Sequence, residues 1–130
     1  MGLVTKILIL IAMVASFTSV ADAIAGQATF YTPPYTPSSC YGYKNTHGVM
    51  ILAANGGMFA HKGICGKRFR VRCTSGTNAG VPHPCRGNSI VVTAVDLCPG
   101  CAGNQIDLSA EAFAMIADPN EGKINIEYHE

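Results

Sequence analysis

The 130-residue chain has no tryptophan, few charged residues and no excess of either sign. Lys and Arg total 9 against 8 Asp and Glu, a formal net charge of +1. That balance gives no electrostatic reason to expect nucleic acid or an anionic surface as partner. Internal repeats and low-complexity tracts are absent, which excludes repeat architectures. His47, His61, His83 and His129 are scattered, with no H-x3-5-H spacing. No zinc site is therefore expected, and no cofactor.

One long apolar run is present, and it stands at the N-terminus. Lys6 precedes "ILILIAMVA", a weaker "SFTSV" follows, and Ala21-Asp22-Ala23 is a small-x-small cleavage signature. This is the layout of a secretory signal peptide. The run is short for a bilayer span, which needs about 20 residues. Cleavage after Ala23 is expected, leaving a domain over residues 24–130 with no membrane span. Cleavage removes Lys6 and Asp22, so the net charge is unchanged.

All six cysteines lie in the mature part: Cys40, Cys65, Cys73, Cys85, Cys98 and Cys101. An even count in a small exported chain reads as a disulfide framework, although spacing alone does not choose the pairing. "VDLCPGC", residues 95–101, admits three readings: half a zinc site, a redox pair or a local disulfide. A redox motif would open a helix in a βαβ unit, and the "AGNQ" that follows is a loop former. A structural disulfide across a tight Pro-Gly turn fits best.

The mature chain alternates short apolar runs with turn-forming residues. Residues 26–31 (GQATFY), 68–73 (RFRVRC), 89–97 (SIVVTAVDL) and 123–128 (KINIEY) read as strands. The run over 89–97 is rich enough in β-branched residues to be buried on both faces. Three prolines make "TPPYTPSS" a loop. Residues 49–59 hold one short helical turn, and 74–88 form a long loop pinned by Cys73 and Cys85. Residues 109–117 are the one good helix, with Ser109 as N-cap and Glu111 in the first turn. Lys67, Arg68, Arg70 and Arg72 alternate within "KRFRVRC", as on the solvent face of a strand. Four strands and one helix suggest a small closed β-barrel.

"GQATFY", "SCYGYK", "GICGKRFRVRC", "SIVVTAVDLCPGC" and "IDLSAEAFAMIA" occur in an order and at spacings that resemble the N-terminal domain of plant expansins and the family-45 endoglucanase-like domain. Within that group the chain is most similar to the single-domain plant natriuretic peptide-like and blight-associated p12-like proteins. The resemblance covers the whole mature chain. It implies a mainly β fold, a six-stranded double-psi β-barrel with one or two short helices. It also implies disulfides Cys40–Cys65, Cys73–Cys85 and Cys98–Cys101, and secretion to the cell wall space.

The resemblance transfers site residues unevenly. The expansin His-Phe-Asp-Leu motif reads Gln105-Ile106-Asp107-Leu108 here, so the acid is kept and the His-Phe is not. Asp107 is the leading candidate, with a structural role at the helix start as its alternative. Asp96 resembles a second groove acid, or forms the turn ahead of Cys98-Pro99. Thr29 and Tyr31 occupy the expansin Thr-Phe-Tyr position, where tyrosine suits sugar contact; Tyr31 as a plain strand aromatic is the alternative. Tyr35, Tyr41 and Tyr43 line a shallow groove or pack over the barrel end, and packing beside Cys40 is favoured for the last two.

Two departures bear on chemistry. Inverting glycosidases need two carboxylates, and the family's second acid should follow the first-strand tyrosine. Here Tyr31-Thr32-Pro33-Pro34-Tyr35 contains none. A lytic mechanism can use one acid but requires a muramyl substrate, to which nothing in the sequence points. Expansins also carry a C-terminal aromatic domain, and this chain ends where that domain would begin. The resulting expectation is a secreted, monomeric, non-hydrolytic signal in water and ion balance or stress response, with a cell-surface receptor as partner. The alternatives are a module that binds or loosens wall polysaccharide, and a vestigial hydrolase. Asp96 and Asp107 are expected side by side at one groove end, where mutual repulsion would raise one pKa.

Overall fold

The computed structural model describes residues 22–77 and 80–130. Most of the expected leader, residues 1–21, lies outside the described residues. No helix among the described residues is long and apolar enough to cross a membrane.

Six strands form the body: β1 (Ile24–Tyr31), β2 (Ile51–Ala54), β3 (Arg68–Gly76), β4 (Ser89–Leu97), β5 (Ile106–Ser109) and β6 (Ile124–His129). Two short helices join them, α1 (Gly56–Phe59) and α2 (Ala110–Ile116), with a 3-10 turn at Pro119–Glu121. The strands close in the order β1-β5-β2-β4-β3-β6, and β6 returns to β1. Closure leaves no exposed sheet edge. The pairs β1–β5 and β2–β4 are parallel, and the other four are antiparallel.

Alternation decides which side chains fill the barrel. On β3, Phe69, Val71 and Cys73 are buried while Arg68, Arg70 and Arg72 are exposed. β4 spans the expected residues but is not buried on both faces: Ile90, Val92 and Ala94 point inward, and Val91 and Thr93 are only partly covered. Leu52, Ile106, Leu108, Ile124 and Ile126 complete the interior. Helix α2 closes it with Ala112, Phe113 and Ile116, and the Phe113 ring lies 4.9 Å from that of Phe30. Ser109 caps α2 as expected, its Oγ accepting from Ala112 N at 3.1 Å and donating to the Val49 carbonyl.

Two strands escape pattern reading. Residues 49–59 contain α1, but they also contain β2, and β5 precedes α2. Each is four residues long; all four residues of β2 are buried and show no alternation, while Ile106-Asp107-Leu108-Ser109 of β5 does alternate but is short and runs straight into α2. These are the two strands by which the structure exceeds the four read from pattern, and it matches the six of the family fold. Three disulfides staple the barrel: Cys40–Cys65, Cys73–Cys85 and Cys98–Cys101, the pairing the resemblance implied.

Candidate functional site

The first strand delivers Thr29 and Tyr31 to the outer face of the barrel, because Ala28 and Phe30 turn inward. Parallel pairing of β1 with β5 sets Thr29 opposite Asp107 and Tyr31 opposite Ser109. Thr29 Oγ1 donates to Asp107 Oδ1 at 3.0 Å, and Gln105 Nε2 donates to Thr29 Oγ1 at 3.3 Å. The chain leading into β5 is pressed against β1. A Cβ on Gly26 would lie 2.4 Å from the Asn104 carbonyl oxygen, so only glycine permits that approach.

The row continues across the sheet. Asp107 pairs with Ala53 on β2, and Ala53 pairs with Asp96 on β4. Asp96 reaches this row through a bulge. Leu52 pairs with Ala94, yet the next pair is Ala53 with Asp96, so Val95 is the extra residue. The bulge shifts the alternation by one and takes Asp96 off the inward face that Ala94 occupies. Thr29, Asp107, Ala53 and Asp96 therefore form one lateral row over four strands.

The two acids are not a side-by-side pair. Two strand spacings separate them, roughly 10 Å between Cα atoms. Asp96 Oδ1 accepts from Ser39 N at 2.8 Å and from Leu97 N at 2.9 Å, so this carboxylate ties the proline-rich loop to the end of β4. The Asp107 carboxyl is pushed above its ordinary value by burial, opposed by the hydrogen bond from Thr29. The expected repulsion between the two acids is not its cause. Nor does Asp107 hold the start of α2, since Ser109 does that.

The charges of both carboxylates instead act on Tyr31. Its phenol is held well above its usual pKa, first by burial, then by the charges of Asp96 and Asp107. Its hydroxyl oxygen is buried and has no hydrogen-bond partner among the described residues. The Tyr35 ring meets that of Tyr31 edge-on at 5.1 Å. Tyr35 donates to Glu111 Oε2 and accepts from Ala110 N at 3.2 Å, and burial with the Glu111 bond pushes its pKa up to about 12. Glu111 thus stands near the site, whereas the sequence shows it only as a first-turn acid. Gln105 was likewise read only as part of a motif. Tyr41 stacks on His47 at 5.0 Å, but Tyr43 does not pack beside Cys40: it is 83% exposed. Among the described residues no group of three or more His, Cys, Asp or Glu side chains is placed to hold a metal ion.

This geometry has known relatives. A family model described as lytic transglycolase matches residues 24–128. An EG45-like domain containing protein of Citrus jambhiri is 53% identical over 131 residues, spanning 100% of this chain and 99% of the relative. The chain belongs to the lytic transglycolase family, in its EG45-like group. Expansin-B4 of Arabidopsis thaliana is 31% identical and matches 78% of the EG45-like chain but only 42% of its own length. Among solved structures, a mutant expansin of Clavibacter michiganensis in complex with cellohexaose superposes with a TM-score of 0.68. It is 23% identical and covers 83% of this chain and 50% of its own, a likeness of fold. The EG45-like chain is thus an expansin-like double-psi barrel.

Proposed function

We propose that this protein is an extracellular module that holds a linear β-glucan of the plant cell wall against the outer face of β1 and β5 without hydrolysing it. The observation that carries this reading is the outward-facing Thr29–Asp107 pair, set beside the partly exposed ring of Tyr31 on the same strand face. Sugar hydroxyls can bond the Asp107 carboxyl and Thr29, and the tyrosine ring offers an apolar face to the sugar. Support comes from the expansin neighbour, which was solved with cellohexaose. Secretion to the apoplast rests on the leader expected over residues 1–23 and on the three disulfides.

The setting of the two acids supports a role without hydrolysis. Asp107, with its raised pKa, suits a general acid. An inverting partner must activate water on the opposite face of the sugar. Asp96 is committed to two backbone N–H groups, and Glu111 accepts the Tyr35 hydroxyl. Each is tied through one oxygen to a structural contact, and for that reason we rank the vestigial-hydrolase reading last of the three.

The second reading is an extracellular signal in water and ion balance or stress response, read by a cell-surface receptor. It is favoured by the match to an EG45-like relative over 99% of that relative's length, against 42% of the expansin. Glycan-array screening followed by calorimetry separates the readings. Binding of cello-oligosaccharides with intact products supports the glucan module; no glycan binding, with retained activity on intact cells, supports the signal.

A further inference from the structure

We propose a second binding site, for a linear polyuronate, on the opposite side of the barrel from Asp107. In the closed order β1-β5-β2-β4-β3-β6, β3 is three strands from β5 in either direction. The outer face of β3 carries Arg68, Arg70 and Arg72, all exposed. Same-face residues on one strand lie roughly 7 Å apart, so three guanidiniums form a straight row about 14 Å long.

The neighbours of this row leave it largely uncompensated. On β4 the residues opposite Arg68, Arg70 and Arg72 are Thr93, Val91 and Ser89. On β6, Arg70 faces His129 and Arg72 faces Glu127. Arg72 is paired with Glu127 at 2.8 Å, and Lys67 reaches Glu130 at 3.8 Å. Arg68 and Arg70 have no carboxylate within salt-bridge distance among the described residues; Arg70 donates to Ser89 Oγ at 3.2 Å. Two shallow clefts flank Arg70. One is lined by Arg70, Arg72, Ser89, Glu127 and His129 together with Ala23, the last residue of the expected leader, and the other by Arg68, Phe69, Arg70, Val91, His129 and Glu130. Arg70 and His129 line both, so the clefts form one groove along β3.

Charge complementarity selects the occupant. A guanidinium grips a carboxylate with two parallel hydrogen bonds, and a regular row of them suits a chain bearing one carboxylate per sugar. An anionic membrane is the poorer partner. Peripheral anchoring by one basic patch needs an apolar insertion as well; of the exposed large hydrophobics, Tyr43, Val49 and Met115 lie away from β3, β4 and β6, and Ile24, on β1 beside β6, is a single side chain. The net charge of +1 gives the rest of the surface no basic excess, so the attraction is local to this face.

The test is binding of the whole secreted protein to an oligogalacturonate, to its methyl-esterified form and to vesicles containing anionic phospholipid. Arg68→Gln, Arg70→Gln and the double variant are compared with wild type and with Asp107→Asn, their folding checked by melting temperature. The account predicts binding to the free acid that weakens steeply with added salt and no binding to the ester. Each single substitution should weaken binding about two- to fivefold, the range of an exposed ion pair, and the double variant by about their product. Lysine at both positions should recover part of the loss, and Asp107→Asn should bind as wild type does. Failure to bind the free acid at low salt would overturn the proposal. So would equal binding of acid and ester, insensitivity to both arginines, or arginine-dependent binding to vesicles alone. Cello-oligosaccharide binding is scored separately on the same variants, so failure of the glucan reading leaves this result distinguishable.

Discussion

Thr29 and Asp107 are 78 residues apart in sequence, yet their side chains meet at 3.0 Å. The contact exists because β1 and β5 pair in parallel with these two residues in register. Half-burial then raises the acid's pKa while Thr29 holds one oxygen. The Asp107 pKa is therefore set by its own strand pair, not by Asp96.

The first prediction concerns Asp107 and pH. Its folded pKa lies above the ordinary 3.8, so the unfolded chain gives up this proton first. Wild-type stability must fall as pH rises from that value through the raised one, and it stays lower above. Asp107→Asn cannot ionise and keeps an oxygen for Thr29 to bond. The variant should melt with wild type near pH 3 and no lower than wild type, or higher, at pH 7. A variant that melts lower at pH 7 would mean that the ionised carboxylate is structural.

Tyr31→Phe should separate stability from binding. The hydroxyl removed is buried without a protein partner, and such a group costs roughly 1–3 kcal/mol. Thermal denaturation should therefore show equal or higher stability for the variant. Affinity for cello-oligosaccharides should be kept, since the ring that faces the sugar stays and the buried hydroxyl does not meet it. A loss of stability would show that the hydroxyl has a partner in the folded protein, and a loss of affinity would show that it opens to the sugar.

Asp96 should behave in the opposite way. Its Oδ1 joins Ser39 to Leu97 through two backbone N–H bonds. Asp96→Ala should lose about 1–2 kcal/mol, several degrees in melting temperature. Asp96→Asn, which retains an oxygen acceptor, should lose less. Equal behaviour of wild type and the alanine variant in melting would show that the loop does not depend on this clamp.

The disulfides should differ in weight with the loops they close. Sequence separations are 25 for Cys40–Cys65, 12 for Cys73–Cys85 and 3 for Cys98–Cys101. By loop-closure entropy these correspond to about 3.5, 2.8 and 1.6 kcal/mol. Paired Cys→Ser variants, each followed by chemical denaturation, should rank in that order. A larger loss at Cys98–Cys101 than at Cys40–Cys65 would mean that this turn holds more than its own ring.

Much of this was legible in the residues, and the rest has a physical reason for being hidden. β4 spans the residues its β-branched run suggested, and Ser109 caps α2 where a serine ahead of an apolar helix should. β2 stayed hidden because its four residues are all buried and show no period of two, and β5 because its brief Ile106-Asp107-Leu108-Ser109 alternation merges with the start of α2. Without β5, Asp107 looks like a helix-start residue; with it, the same aspartate belongs to a sheet row. The Val95 bulge is equally silent in sequence, since only the pairing of β2 with β4 reveals the extra residue. Tyr31, Tyr35 and Glu111 meet through three separate elements, a non-local arrangement that spacing does not encode. The exposed Arg68–Arg72 alternation, by contrast, was legible from "KRFRVRC" alone.

The central claim is glucan binding without cleavage at the Thr29–Asp107–Tyr31 face. Its most direct test is calorimetric titration of cellohexaose into wild type and Asp107→Asn, followed by chromatography of the recovered sugar. The account predicts saturable binding by wild type, at least tenfold weaker binding by the variant (about 1.4 kcal/mol), and cellohexaose recovered intact from both. Shorter oligosaccharides in the wild-type cell, or equal affinity of the two proteins, would contradict it.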